Sequence, residues 1–367
     1  MGTIRETPPA QAAAEQFDTE AAEAFVDRFV GILNDASIAM LTSVGHQSGL
    51  FETLAGLPAA TSEQIADAGR LDERYVREWL GGMTTARIVR YDPAARTYSL
   101  PREHAAVLTR AAGPNNMAVL MQHISMMGQV EQEIIGRFRH GGGLPYAAYP
   151  DFHRSMAEIS AAVHDWALVD AILPLAADLP SRLETGIELA DIGCGTGHAV
   201  NLMARAFPAS RFTGYDFSAE AIETARAEAG RWGLANADFE VRDVAELDIA
   251  AGFDAVTAFD AIHDQAHPAA VLEAVRRALR PAGIFMMVDI KASSRLQENI
   301  EVPWGSYLYV ISTFHCMSVS LGLGGDGLGT AWGTQLALSM LADAGFADVQ
   351  YKEFESDPFN ICFIARR

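Results

Sequence analysis

The sequence predicts a mixed α/β protein: a mainly helical N-terminal part, then a seven-stranded, mostly parallel sheet finished by an antiparallel C-terminal hairpin. Three observations carry this. Near the N-terminus apolar residues recur at three- and four-residue spacing, the period of a helix face. From about position 183 short apolar strands alternate with helical stretches, the pattern of parallel strands joined by right-handed crossovers. The last two strands have no helical pattern between them, so they pair directly at the sheet edge.

A chain of 367 residues, half of them apolar, is long enough for two domains. The formal net charge of −20 argues against a surface that wraps nucleic acid or an anionic membrane, because binding phosphate relies on clustered Lys and Arg. Cys194, Cys316 and Cys362 are odd in number, far apart and without CxxC spacing, which fits a reducing compartment. No basic n-region precedes an apolar one and no apolar run is bilayer-long, so the cytoplasm is expected.

Residues 1–19, rich in Ala, Pro and Gln, read as a loose tail. From Glu20 to His46, Phe25, Phe29, Ile32, Leu33, Ile38 and Leu41 mark one helix face. Thr61 with Gln64 forms a capping box opening SEQIADAG, and Asp72 caps ERYVREWLGGMTTAR. Two short β-like pieces follow, Ile88 to Tyr91 and Thr97 to Leu100, joined by the turn DPAAR. Helix, helix, hairpin is the layout of a winged helix, over 20–112. Residues 113–182 read as a helical linker that covers substrate: a Met-rich helix from Asn116 to Phe138, the turn HGGGLP, and a helix from Phe152 to Ala177. The sheet strands then fall at IELADIG, RFTGYDF, DFEVRDV, FDAVTAFD, GIFMMVDI, ADVQYKEFE and NICFIARR.

The segment IELADIGCGTGHAVNLMARAF runs from a strand through a glycine-rich turn into a helix. Gly193, Gly195 and Gly197 let backbone approach a ligand where a Cβ would clash, and the helix start offers unpaired N–H groups. The next strand ends in GYDFS, so Asp216 stands where a carboxylate accepts two ribose hydroxyls. The third ends in VRDV, putting Asp243 and the Val244 N–H within reach of an adenine edge. A dinucleotide fingerprint GxGxxG needs a third glycine at position 198, which is His198. A mononucleoside such as S-adenosylmethionine therefore fits better than a dinucleotide.

With ELADIGCGTG, GYDFS, RDV and LRPAGIF in that order, the chain from Gly186 onward resembles class I, Rossmann-like methyltransferases. The resemblance implies an S-adenosylmethionine-binding domain over 183–367 with an insertion at 291–332. Asp191, Gly193 and Gly195, with Cys194 between, would line the methionine end. Asp216 and Phe217 would hold ribose and adenine, Asp243 and Val244 the adenine edge, and Phe259 would close the pocket near the sulfonium. With its winged-helix start the whole chain is similar to an actinobacterial-type methyltransferase family.

After the fourth strand, DAVTAFDAIHDQAHP places His263 and Asp264 one turn beyond the strand end. An alcohol or phenol usually needs a base to give up its proton during in-line methyl displacement, and a neutral histidine can take it. The segment resembles plant-type and polyketide-type O-methyltransferases, whose catalytic histidine lies here and whose N-terminal domains dimerise. Gln265 replaces their usual Trp, and no partner acid for the histidine is evident. Candidate substrate residues are His123, Met126 and His153 before the sheet, and Trp304, Tyr307 and His315 in the aromatic insertion. No histidine pair joins a carboxylate at metal-ligand spacing, so no metal is expected. The expectation is a homodimeric methyltransferase acting on a small molecule, with a phenolic or hydroxylated aromatic acceptor favoured. N-, S- or C-methylation and a cofactor-sensing DNA-binding regulator are the alternatives.

Overall fold

The computed structural model describes residues 17–150 and 152–367. The chain divides between Thr109 and Arg110 into two units. The helical region expected at 113–182 thus belongs to the same unit as the large sheet. The tail at residues 1–16 lies outside the described residues; Asp18 already caps the first helix, accepting from Ala21 N at 3.0 Å.

In the first unit that helix spans Thr19–Ser48 and ends at Gly49, whose φ of 75° suits a residue without a Cβ. The expected apolar stripe is helical but largely open: Phe25, Phe29 and Leu33 are 55%, 57% and 67% exposed. The capping box of Thr61 and Gln64 starts Ser62–Gly69, and Asp72 caps Glu73–Thr85 through Arg74 N and Tyr75 N. The latter helix buries Val76, Trp79, Leu80 and Met83, and Trp79 Nε1 donates to the Leu41 carbonyl at 2.7 Å. Its Arg74 and Arg77 pair with Glu78 and Glu73 of the same helix. Strands β1 (Arg90–Asp92) and β2 (Thr97–Ser99) form the wing, antiparallel, with Ala60 bridging to Tyr98.

The second unit carries β3 (Glu188–Ile192), β4 (Arg211–Asp216), β5 (Ala237–Val241), β6 (Phe253–Phe259), β7 (Leu279–Ile290), β8 (Asp348–Lys352) and β9 (Asn360–Arg366). Their order is β5-β4-β3-β6-β7-β9-β8. β9 runs antiparallel to both neighbours, so the terminal hairpin is present with β8 at the edge. Helices bury both faces of the sheet, in one cluster around Leu179, Val200, Met203, Phe212 and Met286 and another around Ile192, Val256, Leu272, Phe285 and Phe363. From β3 the chain winds outward through β4 to β5, then returns to β6 on the other side. Such a reversal opens a crevice beyond the C-terminal ends of β3 and β6.

Two long helices expected from the sequence are broken. The Met-rich one is split into Val119–Met121, Gln122–Gln129 and Glu131–His140, with the break at Val130 (φ −104°, ψ 9°). The helix from Phe152 stops at Ala167, where φ turns to −124°, and continues as a wider turn over Leu168–Ile172. Among the described residues no single helix is long and apolar enough to cross a membrane.

Candidate active site

A cleft opens at the crevice beyond β3 and β6, lined among others by Asp191, Gly193, Cys194, Gly195, Asp216, Phe217 and Phe259. Seven of the nine predicted cofactor residues therefore meet on one surface. The other two do not join it. β5 ends at Val241, Asp243 turns back to cap a short helical turn by accepting from Ala245 N, and Val244 packs into the core.

The cradle is built by backbone geometry. Gly195 has φ 52°, and a Cβ there would point into open space, so its backbone is bare toward the cleft. Its N–H donates to Asp216 Oδ2 at 2.9 Å, and Ser218 N donates to Oδ1 at 2.8 Å. Each carboxylate oxygen keeps lone pairs for a diol. Gly197 serves packing instead, since a Cβ there would fall 2.5 Å from Ala225 Cβ and from Phe239; its absence lets the next helix lie close to its neighbours. His198, which breaks the dinucleotide fingerprint, bridges Glu228 (3.0 Å) and Asp165 (2.9 Å).

Four acids face this region, of which Asp264 goes up to about 6 through burial, opposed by the His263 charge and the Tyr146 hydroxyl. Burial pushes the Asp191 carboxyl up to about 7, against the Thr257 hydroxyl that donates to it at 2.6 Å. Burial also raises Asp216, while the Ser218 and Gly195 N–H groups oppose the rise. Asp260 goes up to about 8 through burial and the nearby Asp357 and Asp289, although Asn360 donates to it at 3.0 Å. The hydroxyl, amide and backbone groups that donate to these acids are all neutral. Such a set suits a ligand that brings positive charge and a diol, as a sulfonium nucleoside with an amino-acid end does.

Asp191 therefore carries a testable stability signature. Its folded-state value lies above the unfolded 3.8, so the folded state binds more protons between about pH 4 and 7, and stability falls as pH rises through that window. In the ligand-free protein Asp191→Asn should gain about 2 to 4 kcal/mol at pH 8 and nothing near pH 3.5, read by urea denaturation. An equal gain at both pH values would contradict this assignment.

His263 lies just behind the cleft wall, 4% exposed, whereas the neighbouring Ala261, Asp264 and Gln265 line the cleft. Its Nδ1–H donates to Asp289 Oδ1 at 2.8 Å. That same oxygen accepts from Trp332 Nε1 (3.1 Å) and Ile290 N (2.8 Å), which fix the carboxylate. Burial would lower the imidazole, but the adjacent Asp289 charge and a hydrogen bond with the Cys316 thiol hold it well above its usual value.

Asp289, the partner acid that sequence reasoning missed, is the acid near the end of β7. The signal was there: GIFMMVDI places an acid at a strand end, just as β3 and β4 do. Asp260 was also missed; it lines the cleft beside Phe259 with φ at 51°, a conformation Asp tolerates better than most residues.

Of the predicted substrate residues, His123 Nδ1 and the Tyr307 hydroxyl are hydrogen-bonded at 2.9 Å. Met126 packs with Tyr149, Phe152 and Phe314. His315 stacks on Phe152 with centroids 3.6 Å apart, and His153 stacks on Tyr146 at the cleft. Trp304 stands apart from this group, against Phe359 at 4.7 Å. Among the described residues no group of three or more His, Cys, Asp or Glu is arranged to hold a metal ion.

A seven-stranded sheet of this order, with a glycine cradle after β3 and an acid at the end of β4, defines the class I methyltransferase fold. Residues 36–110 match the Rv2258c-like winged HTH domain family, and residues 183–314 match a methyltransferase domain family. The chain thus carries a methyltransferase-family domain behind a winged helix-turn-helix family domain. It is 28% identical over 177 residues to a ubiquinone/menaquinone biosynthesis C-methyltransferase of Desulfotalea psychrophila, covering 46% of this chain and 68% of that one. It is 30% identical over 150 residues to a ubiquinone biosynthesis O-methyltransferase of Xanthomonas axonopodis pv. citri, covering 38% and 62%. The chain thus spans about two thirds of the length of these relatives. In fold it is similar to human N-acetylserotonin methyltransferase, solved in complex with SAM, over 97% of this chain and 99% of that one (TM-score 0.67, 16% identity).

Proposed function

We propose that the protein transfers a methyl group from S-adenosylmethionine to a hydroxyl of a small phenolic or hydroxylated aromatic molecule, with His263 as general base. The observation that carries this reading is the Gly195–Asp216 cradle on one cleft with the loop that bears His263, which Asp289 of β7 holds. When bound, the cofactor supplies an electrophilic methyl group. Asp216 would hold the ribose hydroxyls, and the Gly193–Gly195 backbone would pass beneath the amino-acid end. Asp289 accepts from Nδ1–H, which leaves Nε2 as the nitrogen that would take the acceptor proton. Burial keeps water from competing for that proton.

The test is transfer of a labelled methyl group from S-adenosylmethionine to a panel of phenols, compared with aniline, thiophenol and 1,3-diketone acceptors. Transfer confined to the phenols supports the reading, and transfer confined to the diketones replaces it with C-methylation. That second reading is favoured by the likeness to a C-methyltransferase. The intrahelical pairing of Arg74 and Arg77 weighs against a DNA-reading role. With its three unpaired cysteines, the protein is read as working in the cytoplasm.

A homodimer is part of this reading, supported by the open stripe of Phe25, Phe29 and Leu33, which a second copy of the same helix would cover. Light scattering should give twice the 39.5 kDa chain mass. Phe29→Glu with Leu33→Glu should give the single-chain mass, because a charge on each helix would be buried in the contact. A dimer unaffected by both charges would place the contact elsewhere.

A further inference from the structure

Tyr146 has no part in the proposed transfer, yet it is the best-held phenol at the cleft. Its strap, between the helices Glu131–His140 and Phe152–Ala167, is pinned on both sides. Leu144 N donates to the carbonyl and the hydroxyl of Ser318, each at 3.1 Å. A Cβ on Gly143 would come within 1.8 Å of the Ser318 carbonyl, so the strap lies directly on that helix. On the other side the Tyr149 hydroxyl donates to the Phe314 carbonyl.

Between the pins, Tyr146 turns into the cleft, and its hydroxyl donates to Asp264 Oδ2 at 2.7 Å. Its ring packs against Phe217 (centroids 5.0 Å apart), stacks on His153 (5.9 Å) and meets the edge of His315 (5.5 Å). An aromatic slot with a carboxylate at its end, next in sequence to His263, is thus filled by the protein's own phenol.

Behind the slot lie polar atoms that the protein leaves unsatisfied. His315 is 1% exposed and neither ring nitrogen has a partner; His123 is 5% exposed and its Nε2 has none. Buried nitrogens in native proteins are rarely left this way unless a ligand or water completes them. Burial keeps both rings neutral, with His123 lowered to about 4 and His315 well below its usual value, so they match uncharged groups rather than an anion.

We propose that Tyr146 occupies the acceptor seat, and that the acceptor is an uncharged phenol with a second hydrogen-bonding substituent. Its hydroxyl takes the place of the Tyr146 hydroxyl at Asp264 as an anchor, and the substituent reaches His315; the hydroxyl that loses its proton to His263 is a separate one. Because the strap is pinned at Leu144 and Tyr149, Tyr146 leaves by rotation of its side chain. The proposal deepens the O-methylation reading and rests on it.

The experiment uses the full chain saturated with S-adenosylhomocysteine and calorimetric titration with 4-methylphenol, the side chain of tyrosine itself, against toluene. Tyr146→Ala should bind 4-methylphenol about tenfold more tightly than toluene and more tightly than the unaltered protein does. That preference should vanish in Tyr146→Ala with Asp264→Ala. 4-Methylcatechol should bind Tyr146→Ala more tightly than 4-methylphenol, and His315→Phe should erase the difference. If Tyr146→Ala binds S-adenosylhomocysteine normally but takes 4-methylphenol and toluene alike, the seat is overturned. If the unaltered protein does not bind S-adenosylhomocysteine, the cofactor reading fails instead, which separates the two failures.

Discussion

On the proposed reading, His263→Ala should lower methyl transfer by about two to four orders of magnitude, the usual contribution of a positioned general base, and should leave S-adenosylhomocysteine binding unchanged. The split follows from position: His263 is buried behind the cleft wall and does not line the cofactor surface, while its ring is fixed by Asp289. A companion variant fixes the sign of the pH dependence. A histidine base would work unprotonated, and the Asp289 charge holds the His263 pKa well above 6.5, so turnover in the unaltered protein should rise with pH on the alkaline side of that value. Asp289→Asn removes the charge that retains the proton, so the rising limb moves to lower pH even as maximal turnover falls. Stopped assays across pH 5 to 10 check both statements. A limb that stays in place in Asp289→Asn would show that His263 is not the titrating base.

Asp216→Ala should weaken S-adenosylhomocysteine by about a hundredfold, since it removes a carboxylate that would accept two ribose hydroxyls. Asp216→Asn keeps the shape and one acceptor oxygen, and its loss should fall in between. Because Asp216 also accepts from Gly195 N and Ser218 N, the alanine variant leaves those N–H groups without their carboxylate as well as stripping the cradle of its acid. Calorimetry on adenosine and on 2′-deoxyadenosine separates the contributions. In the unaltered protein the deoxy compound binds more weakly; in Asp216→Ala the two bind alike.

The sheet was legible in the sequence because its signals are local. The central strands are short apolar runs, and the glycine turn at 193–197 and the acids at 191 and 216 sit at strand ends, where topology sends them to one edge. The capping residues Thr61 and Asp72 were legible for the same reason, since a cap acts within a few residues of itself. What escaped depends on distance in space. Asp289 lies 26 positions after His263, and only the side-by-side pairing of β6 and β7 brings it to the histidine. Asp243 was assigned to the adenine edge on the assumption that β5 runs to it; the strand stops at Val241 and the acid caps the next turn through one of its two oxygens.

The broken Met-rich helix had no local marker, since Val130 is neither glycine nor proline, and tertiary packing around Ile134 and Tyr149 sets its course. Tyr146 follows three glycines and a proline, a sequence that announces a turn without saying what the turn points at. The stripe from Phe25 to Leu33 gave the helix its period but not the surface that covers it.

The most direct test of the central claim is calorimetric titration of the purified protein with S-adenosylhomocysteine, with NADH as the control. Tight binding of S-adenosylhomocysteine and none of NADH is the predicted result. Binding of NADH alone would contradict the account and make the cleft a dinucleotide site.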